Sequence, residues 1–303
     1  MRTILKLILI LLPCCCLAQQ PKPSAGTVMR FETYLSQYVE PRNIDVWLPP
    51  GYVLSKKYSV LYLQDGQMLF DSSITWNRQE WGVDETMAQL LKEKKIMDCI
   101  VVAISNAGEY RQSEYFPKKP VAKLKADIRD SVLSKELKGK MQADNYLLFL
   151  TKELKPFIDK TFPTYKDQRH TFIGGSSMGA LISLYALCEY PRIFYGALCM
   201  STHWPGSLQV FTDDIPLCFI NYLENHLPDP ETHRIYFDYG SKGFDANYKK
   251  YQKMADKLLK EAGYKKKSWI TQEFPGDDHA EYYWQRRLPG ALAFLLTAPD
   301  PDE

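Results

Sequence analysis

Thr171-Phe-Ile-Gly-Gly-Ser-Ser-Met-Gly-Ala180 decides how this 303-residue chain is read, together with the apolar run over 181–188 that follows it. A short β-branched and aromatic segment runs into Gly175-Ser176-Ser177-Met178-Gly179, and a helical run starts at once. Gly-x-Ser-x-Gly between a strand and a helix is the pattern of a nucleophile elbow. A turn this tight leaves no room for flanking side chains, hence the glycines. The central Ser177 is expected in a strained turn with its Oγ exposed, facing the positive N-terminus of the next helix.

Working outward, the segments alternate. Strands are expected over 27–34, 42–48, 58–63, 99–104, 171–173, 195–201, 235–239 and 268–273. Helices are expected over 82–94, 144–158, 180–188, 248–261 and 285–296. Continuous apolar strands such as Cys99-Ile-Val-Val-Ala-Ile104 suit a sheet covered on both faces. The pattern predicts an α/β fold: a mostly parallel central sheet, an antiparallel N-terminal edge and helices on both faces. Residues 107–141 break the alternation and read as a long, polar, irregular insertion leaving the carboxyl end of the 99–104 strand. That edge carries ligand sites in α/β sheets, although a simple surface insertion would look the same.

The first 18 residues read as a secretory signal peptide: Arg2 and Lys6, then an apolar stretch, then Cys16-Leu17-Ala18 before Gln19. Lipidation at Cys14, Cys15 or Cys16 fits less well, because Pro13 or another cysteine precedes each. The expectation is export to the periplasm or medium with cleavage after Ala18. Residues 19–26 then form a flexible leader, and 27–298 a single domain, monomeric or homodimeric. Cleavage removes two basic residues, so 36 Lys and Arg face 36 Asp and Glu. A balanced chain offers no electrostatic footprint for nucleic acid or anionic membrane, and the apolar stretch is too short to cross a bilayer. Cys99, Cys188, Cys199 and Cys218 lie in apolar segments, three of them strand-like, and read as buried hydrophobes. The scattered histidines give no metal-ligand spacing, so no metal or organic cofactor is expected.

A serine nucleophile needs a base and an orienting carboxylate, and behind such an elbow these follow in the order acid, then His. His279, in Pro275-Gly-Asp-Asp-His279, sits between the last strand and the last helix and is the expected base. For the acid, Asp245 in the loop after the penultimate strand leads, Asp238 within that strand is second, and a dyad without a third member is the remaining option. The oxyanion donors are expected from the Met178 amide and from Gln67 in Gln64-Asp65-Gly66-Gln67, where Gly66 permits the turn. Trp76, Trp81, Arg111, Tyr115, His203 and Trp204 are candidates to shape the pocket, with core packing an equal reading for the aromatics. Arg111 suits an anionic substrate group or a surface salt bridge.

These pieces resemble the esterase family of α/β-hydrolases, which includes enterochelin-type siderophore esterases, esterase-D-like enzymes and feruloyl or acetyl-xylan esterases. Trp47-Leu-Pro-Pro-Gly-Tyr52, Leu61-Tyr-Leu-Gln-Asp-Gly-Gln67, Gly174-Gly-Ser-Ser-Met-Gly179 and the Gly276–His279 loop carry the resemblance over nearly the whole chain after residue 18. It implies the α/β-hydrolase fold and a serine esterase acting through an acyl-enzyme on a small-molecule or carbohydrate-linked ester. One departure stands out: family members often carry a carboxylate in a Gly-Thr-x-Glu/Asp motif after the penultimate strand, and Gly240-Ser-Lys-Gly243 has none. An acyltransferase on the same machinery and a catalytically silent glycan- or siderophore-binding module are the alternatives.

Overall fold

The computed structural model describes residues 19–298; the expected signal peptide lies outside them. Eight strands form one sheet: β1 Thr27–Tyr34, β2 Arg42–Leu48, β3 Ser59–Leu63, β4 Cys99–Ile104, β5 Thr171–Ser176, β6 Gly196–Met200, β7 Arg234–Gly240 and β8 Trp269–Phe274. Their order is β1-β2-β4-β3-β5-β6-β7-β8. The β1–β2 and β2–β4 pairs are antiparallel and all others are parallel. This is the predicted α/β architecture, with the antiparallel edge at the N-terminal side.

Alternation along the central strands divides the core in two. Val60, Tyr62, Ile100, Val102 and Ile173 face one layer, while Leu61, Leu63, Val101, Ala103 and Phe172 face the other. Both layers are helical, so each central strand is apolar on both sides and reads as an unbroken hydrophobic run. The second layer is covered by α1 (Val83–Lys92) and, at the chain's far end, by a 16-residue helix over Glu281–Leu296. The helix that follows the elbow, Met178–Glu189, is enclosed from Met178 to Cys188 in the first layer. A helix buried all round needs no polar face, which is why 181–188 is continuously apolar.

The insertion is not irregular. It folds as α2 (Arg111–Tyr115), α3 (Lys118–Val121) and α4 (Ala126–Lys135). Val132 is the one buried residue of α4, so no apolar stripe announced it. A buried ion pair ties this insertion to the sheet edge: Arg42 of β2 meets Glu114 of α2 through two hydrogen bonds of 2.7 and 2.6 Å. Helix α5 (Ala143–Leu148) continues through a π-turn at Phe149–Leu154 into α6 (Lys155–Thr161). After α7 (Met178–Glu189) comes α8 (Asp214–Glu224), where no helix was expected. Pro216 in its first turn disguises it, since proline there costs no helical hydrogen bond. Cys218 therefore sits on a helix and not on a strand. Helices α9 (Lys249–Glu261) and α10 (Glu281–Leu296) complete the chain.

The leader is also more ordered than expected. The Lys22 amide donates to Asp71, the Ser24 and Ala25 amides donate to Asp84, and the Trp47 indole donates to the Ala25 carbonyl. Carboxylates from later in the chain thus satisfy backbone donors that would otherwise need water. Among the described residues, no helix is long and apolar enough to cross a membrane.

Candidate active site

Ser177 lies between β5 and α7 with φ 56° and ψ −125°. This is a region that non-glycine residues enter only when the surroundings impose it, at a cost of about 1–3 kcal/mol. The surroundings are visible. The Ser177 amide donates to the Met200 carbonyl at 3.0 Å, and its carbonyl accepts from the Leu181 and His203 amides at 3.2 Å. The elbow is pinned to its own helix and to the end of β6. Gly175 faces Gly179 so closely that a Cβ on Gly175 would lie 2.7 Å from the Gly179 carbonyl carbon. Any larger residue would open the turn.

His279, between β8 and α10, is brought to the same place. Its Nδ1 lies 2.7 Å from Asp245 Oδ1, and the Asp245 side chain is fully buried. Asp245 sits in a 3₁₀ turn, Gly243–Asn247, directly beyond β7. Its second oxygen accepts from the Ser201 hydroxyl and the Gly240 amide, each at 2.6 Å. Burial alone would raise its pKa, but the His279 and Ser201 hydrogen bonds and the Gly240 amide outweigh it and hold the carboxyl below its usual range.

Asp238, the other acid candidate, is directed elsewhere. From within β7 its Oδ1 accepts from Arg287 Nη1 at 3.0 Å, with side-chain exposures of 0% and 1%. Burial lifts its pKa to about 7 despite the guanidinium. The structure therefore joins His279 to the loop Asp and leaves the strand Asp as a counter-ion.

Ser177 and His279 line one cavity of about 320 Å³ with Gln67, Trp76, Trp81, Arg111 and Trp284 among its walls. Gln67 is in a one-turn helix, Gly66–Met68, at the end of β3. Asp65, not Gly66, takes the left-handed conformation there, with φ 53°. Gly66 is required for another reason: a Cβ would come within 2.5 Å of the Ala103 and Ile104 backbone. Both Gln67 and Met178 occupy first-turn helix positions, whose amides have no intrahelical acceptor.

The remaining candidates separate. Trp76 is at the cavity rim, 84% exposed. Arg111 reaches the cavity, but its guanidinium is engaged by Asp65 in two hydrogen bonds of 2.7 and 2.8 Å. Tyr115 and Trp204 line neither this cavity nor the cleft beside it. Tyr115 is enclosed under Arg111 and packs on Tyr146, and the Trp204 indole donates to Gln252 and tilts against Phe237. Both are core residues, placed there because their polar atoms find partners inside. His203 is buried, hydrogen-bonded through Nδ1 to the Tyr248 hydroxyl at 2.6 Å, and lines a second, larger cleft. Burial, with the charges of His279 and Arg111, lowers its pKa to about 3 and keeps it neutral.

Three supporting residues escaped the sequence reading. Ser201 (φ 43°) follows β6 and accepts from the Trp284 indole at 3.0 Å while donating to Asp245. Trp284 stacks edge-on against the His279 ring, with centroids 4.9 Å apart. Arg287 holds Asp238 and also contacts the carbonyl of Asp278. A signal existed for Arg287: it shares the face of α10 that carries Trp284, Leu288 and Ala291, where a lone cation must have a buried partner. Ser201 had none, because serine does not advertise a left-handed backbone.

With this geometry in hand, comparison with known proteins is informative. The family model described as "Putative esterase" matches residues 36–295. The chain belongs to this esterase family. It is 24% identical over 263 residues to the uncharacterized protein YbbA of Bacillus subtilis strain 168, covering 84% of this chain and 92% of that protein. Among solved structures, it resembles a CE1 ferulic acid esterase from Anaeromyces mucronatus in complex with ferulic acid, with TM-score 0.63, 19% identity and coverage of 92% of this chain and 93% of the other. It also resembles the enterobactin esterase FES of Shigella flexneri, with TM-score 0.63, 16% identity and coverage of 90% of this chain but 60% of that one. Likeness at these identities establishes a shared fold, and the esterase family supports a hydrolase acting on esters. Among the described residues, no group of three or more His, Cys, Asp or Glu side chains could hold a metal ion.

Proposed function

We propose that the protein is a serine carboxylic-ester hydrolase with Ser177 as nucleophile, His279 as base and Asp245 as acid. The observation that carries this reading is His279, which lines one cavity with a serine held in a strained elbow and is hydrogen-bonded from behind to the buried Asp245. Asp245 fixes the His279 tautomer so that Nε2 is free to take the Ser177 proton. Ser177 Oγ attacks the ester carbonyl, and the amides of Gln67 and Met178 receive the oxyanion. His279 then protonates the departing alcohol. Water activated by the same ring releases the acid from the acyl-enzyme.

The acyl part is assigned to the 320 Å³ cavity, among Trp76, Trp81 and Met68 beside Gln67. Flat aromatic walls of this kind suit a ring-bearing acid. Ferulic acid and a dihydroxybenzoyl compound, the molecules named with the two similar esterase structures, both have that character. Esters of such acids with aryl, alkyl, siderophore-type and carbohydrate alcohols are the first substrates to screen. The reading of residues 1–18 as a cleaved leader places the enzyme outside the cytoplasm, and N-terminal sequencing of exported protein should begin at Gln19.

Hydrolysis of p-nitrophenyl acetate and butyrate by residues 19–303 tests the assignment. Activity should vanish in Ser177→Ala and His279→Ala. An inert unmodified protein, or full activity in Ser177→Ala, would overturn it.

A further inference from the structure

A cleft of about 650 Å³, roughly twice the size of the Ser177 cavity, opens between the segment after β6 and the segment after β7. Its walls are mostly apolar, with Leu208, Val210, Phe211 and Pro216 on one side and Phe244 and Tyr251 on the other. Phe211 is 85% exposed, Phe244 56% and Leu208 50%. Large apolar side chains grouped in a concavity and left to water mark a binding site.

The cleft shares no lining residue with the Ser177 cavity, but three of its residues, His203, Phe244 and Tyr248, contact Ser177 or His279. Its inner wall is His203 and Tyr248, hydrogen-bonded to each other. The His203 amide donates to the Ser177 carbonyl. The rings of Tyr248 and Phe244 lie 5.7 and 5.8 Å from that of His279. No residue of the Gly66–Met68 turn contributes to it, whereas Gln67 and Met68 line the smaller cavity. The cleft therefore borders the base and not the oxyanion donors. In ester cleavage the leaving oxygen must lie against the base that protonates it.

Resting on the serine-esterase reading above, we infer that this cleft is the subsite for the alcohol half of the ester, and that it takes a bulky apolar or aromatic alcohol. The charged groups at its rim do not contradict this. Asp213 already accepts from Lys250 and from the Tyr251 hydroxyl at 2.5 and 2.6 Å, so the charges at the rim are paired with each other.

The test holds the acyl group constant. Ethyl acetate, benzyl acetate and a glucose acetate are compared by pH-stat with the unmodified protein, Phe211→Ala, Phe244→Ala and Ser177→Ala. Circular dichroism checks folding, which truncation of the solvent-exposed Phe211 leaves intact. The benzyl-to-ethyl ratio of kcat/KM should fall about tenfold in each Phe variant, the discrimination expected for a lost apolar contact. The ethyl benzoate-to-ethyl acetate ratio, which varies the acyl half, should not change. Equal loss on ethyl and benzyl acetate, loss that follows the acyl series, or a greater loss on the glucose acetate would overturn the assignment while Ser177-dependent turnover leaves the esterase reading standing. Absence of Ser177-dependent turnover on every ester would remove both.

Discussion

Arg287 of α10 and Asp238 of β7 form a buried pair, 3.0 Å apart, and the same guanidinium reaches the Asp278 carbonyl of the base loop. Arg287 hydrogen-bonds Asp238 and lies 3.8 Å from Asp245, and of the two carboxylates it is Asp245 that hydrogen-bonds His279. Asp245→Asn should present the wrong imidazole tautomer and lower kcat on p-nitrophenyl acetate by about 10⁴-fold, the size of effect known for the orienting acid of a triad. Asp238→Asn should change thermal stability more than kcat. Steady-state kinetics on both folded variants decides; a larger kcat loss in Asp238→Asn would reverse the assignment.

Ser201 is the hinge of a short hydrogen-bond chain from the Trp284 indole to Asp245. Ser201→Ala leaves a buried indole N–H without an acceptor and removes one donor from the carboxylate. The expected cost is about 1–3 kcal/mol of unfolding free energy, read by chemical denaturation. Because Asp245 loses a constraint, kcat should drop as well, with KM little changed.

Arg111 is more useful as a brace than as an anion receptor. Its bidentate bond to Asp65 holds the left-handed residue that begins the Gln67 turn. Arg111→Gln should therefore reduce kcat/KM on neutral and negatively charged esters alike. Selective loss on anionic esters would restore the substrate-binding role.

His203 gives a pH signature. The unfolded chain protonates this imidazole below about 6.5, whereas the folded protein resists until about 3, because burial opposes the charge. The unfolded state then binds more protons across that window, so stability falls as pH drops from 6.5 towards 3. Replacing the residue by His203→Asn should flatten the decline between pH 6.5 and 4 by about 3 kcal/mol. Parallel denaturation curves at several pH values measure it; identical slopes in the two proteins would show that another group carries the acid sensitivity.

Much of this architecture was legible because the strands that matter are covered on both faces, and runs such as 99–104 have no polar interruption. The elbow was legible for a steric reason, since a Cβ on Gly175 would meet the Gly179 backbone at 2.7 Å and one on Gly179 would press on Gln64 at 3.0 Å. The insertion was harder. Its helix α4 buries only Val132, and its attachment through Arg42 and Glu114 joins residues 72 apart in the chain, a pairing no local pattern reveals. The order of Asp245 ahead of Asp238 was legible from its loop position, whereas the Arg287 contact that engages Asp238 was not, because that arginine arrives from α10. Trp204 and Tyr115 misled for the opposite reason: an aromatic beside a functional loop looks the same whether it faces the pocket or the core.

The dependence on α10 has a consequence for the timing of assembly. In chain order Ser177 and Asp245 precede α10, whereas Trp284 and Arg287, which contact the His279 ring and its loop, lie on that helix. On the proposed assignment, a chain in which α10 has yet to dock carries its serine without the Trp284 and Arg287 contacts that seat the His279 loop. Activity on that assignment waits for the docking of α10, which makes this helix a checkpoint between formation of the elbow and onset of chemistry.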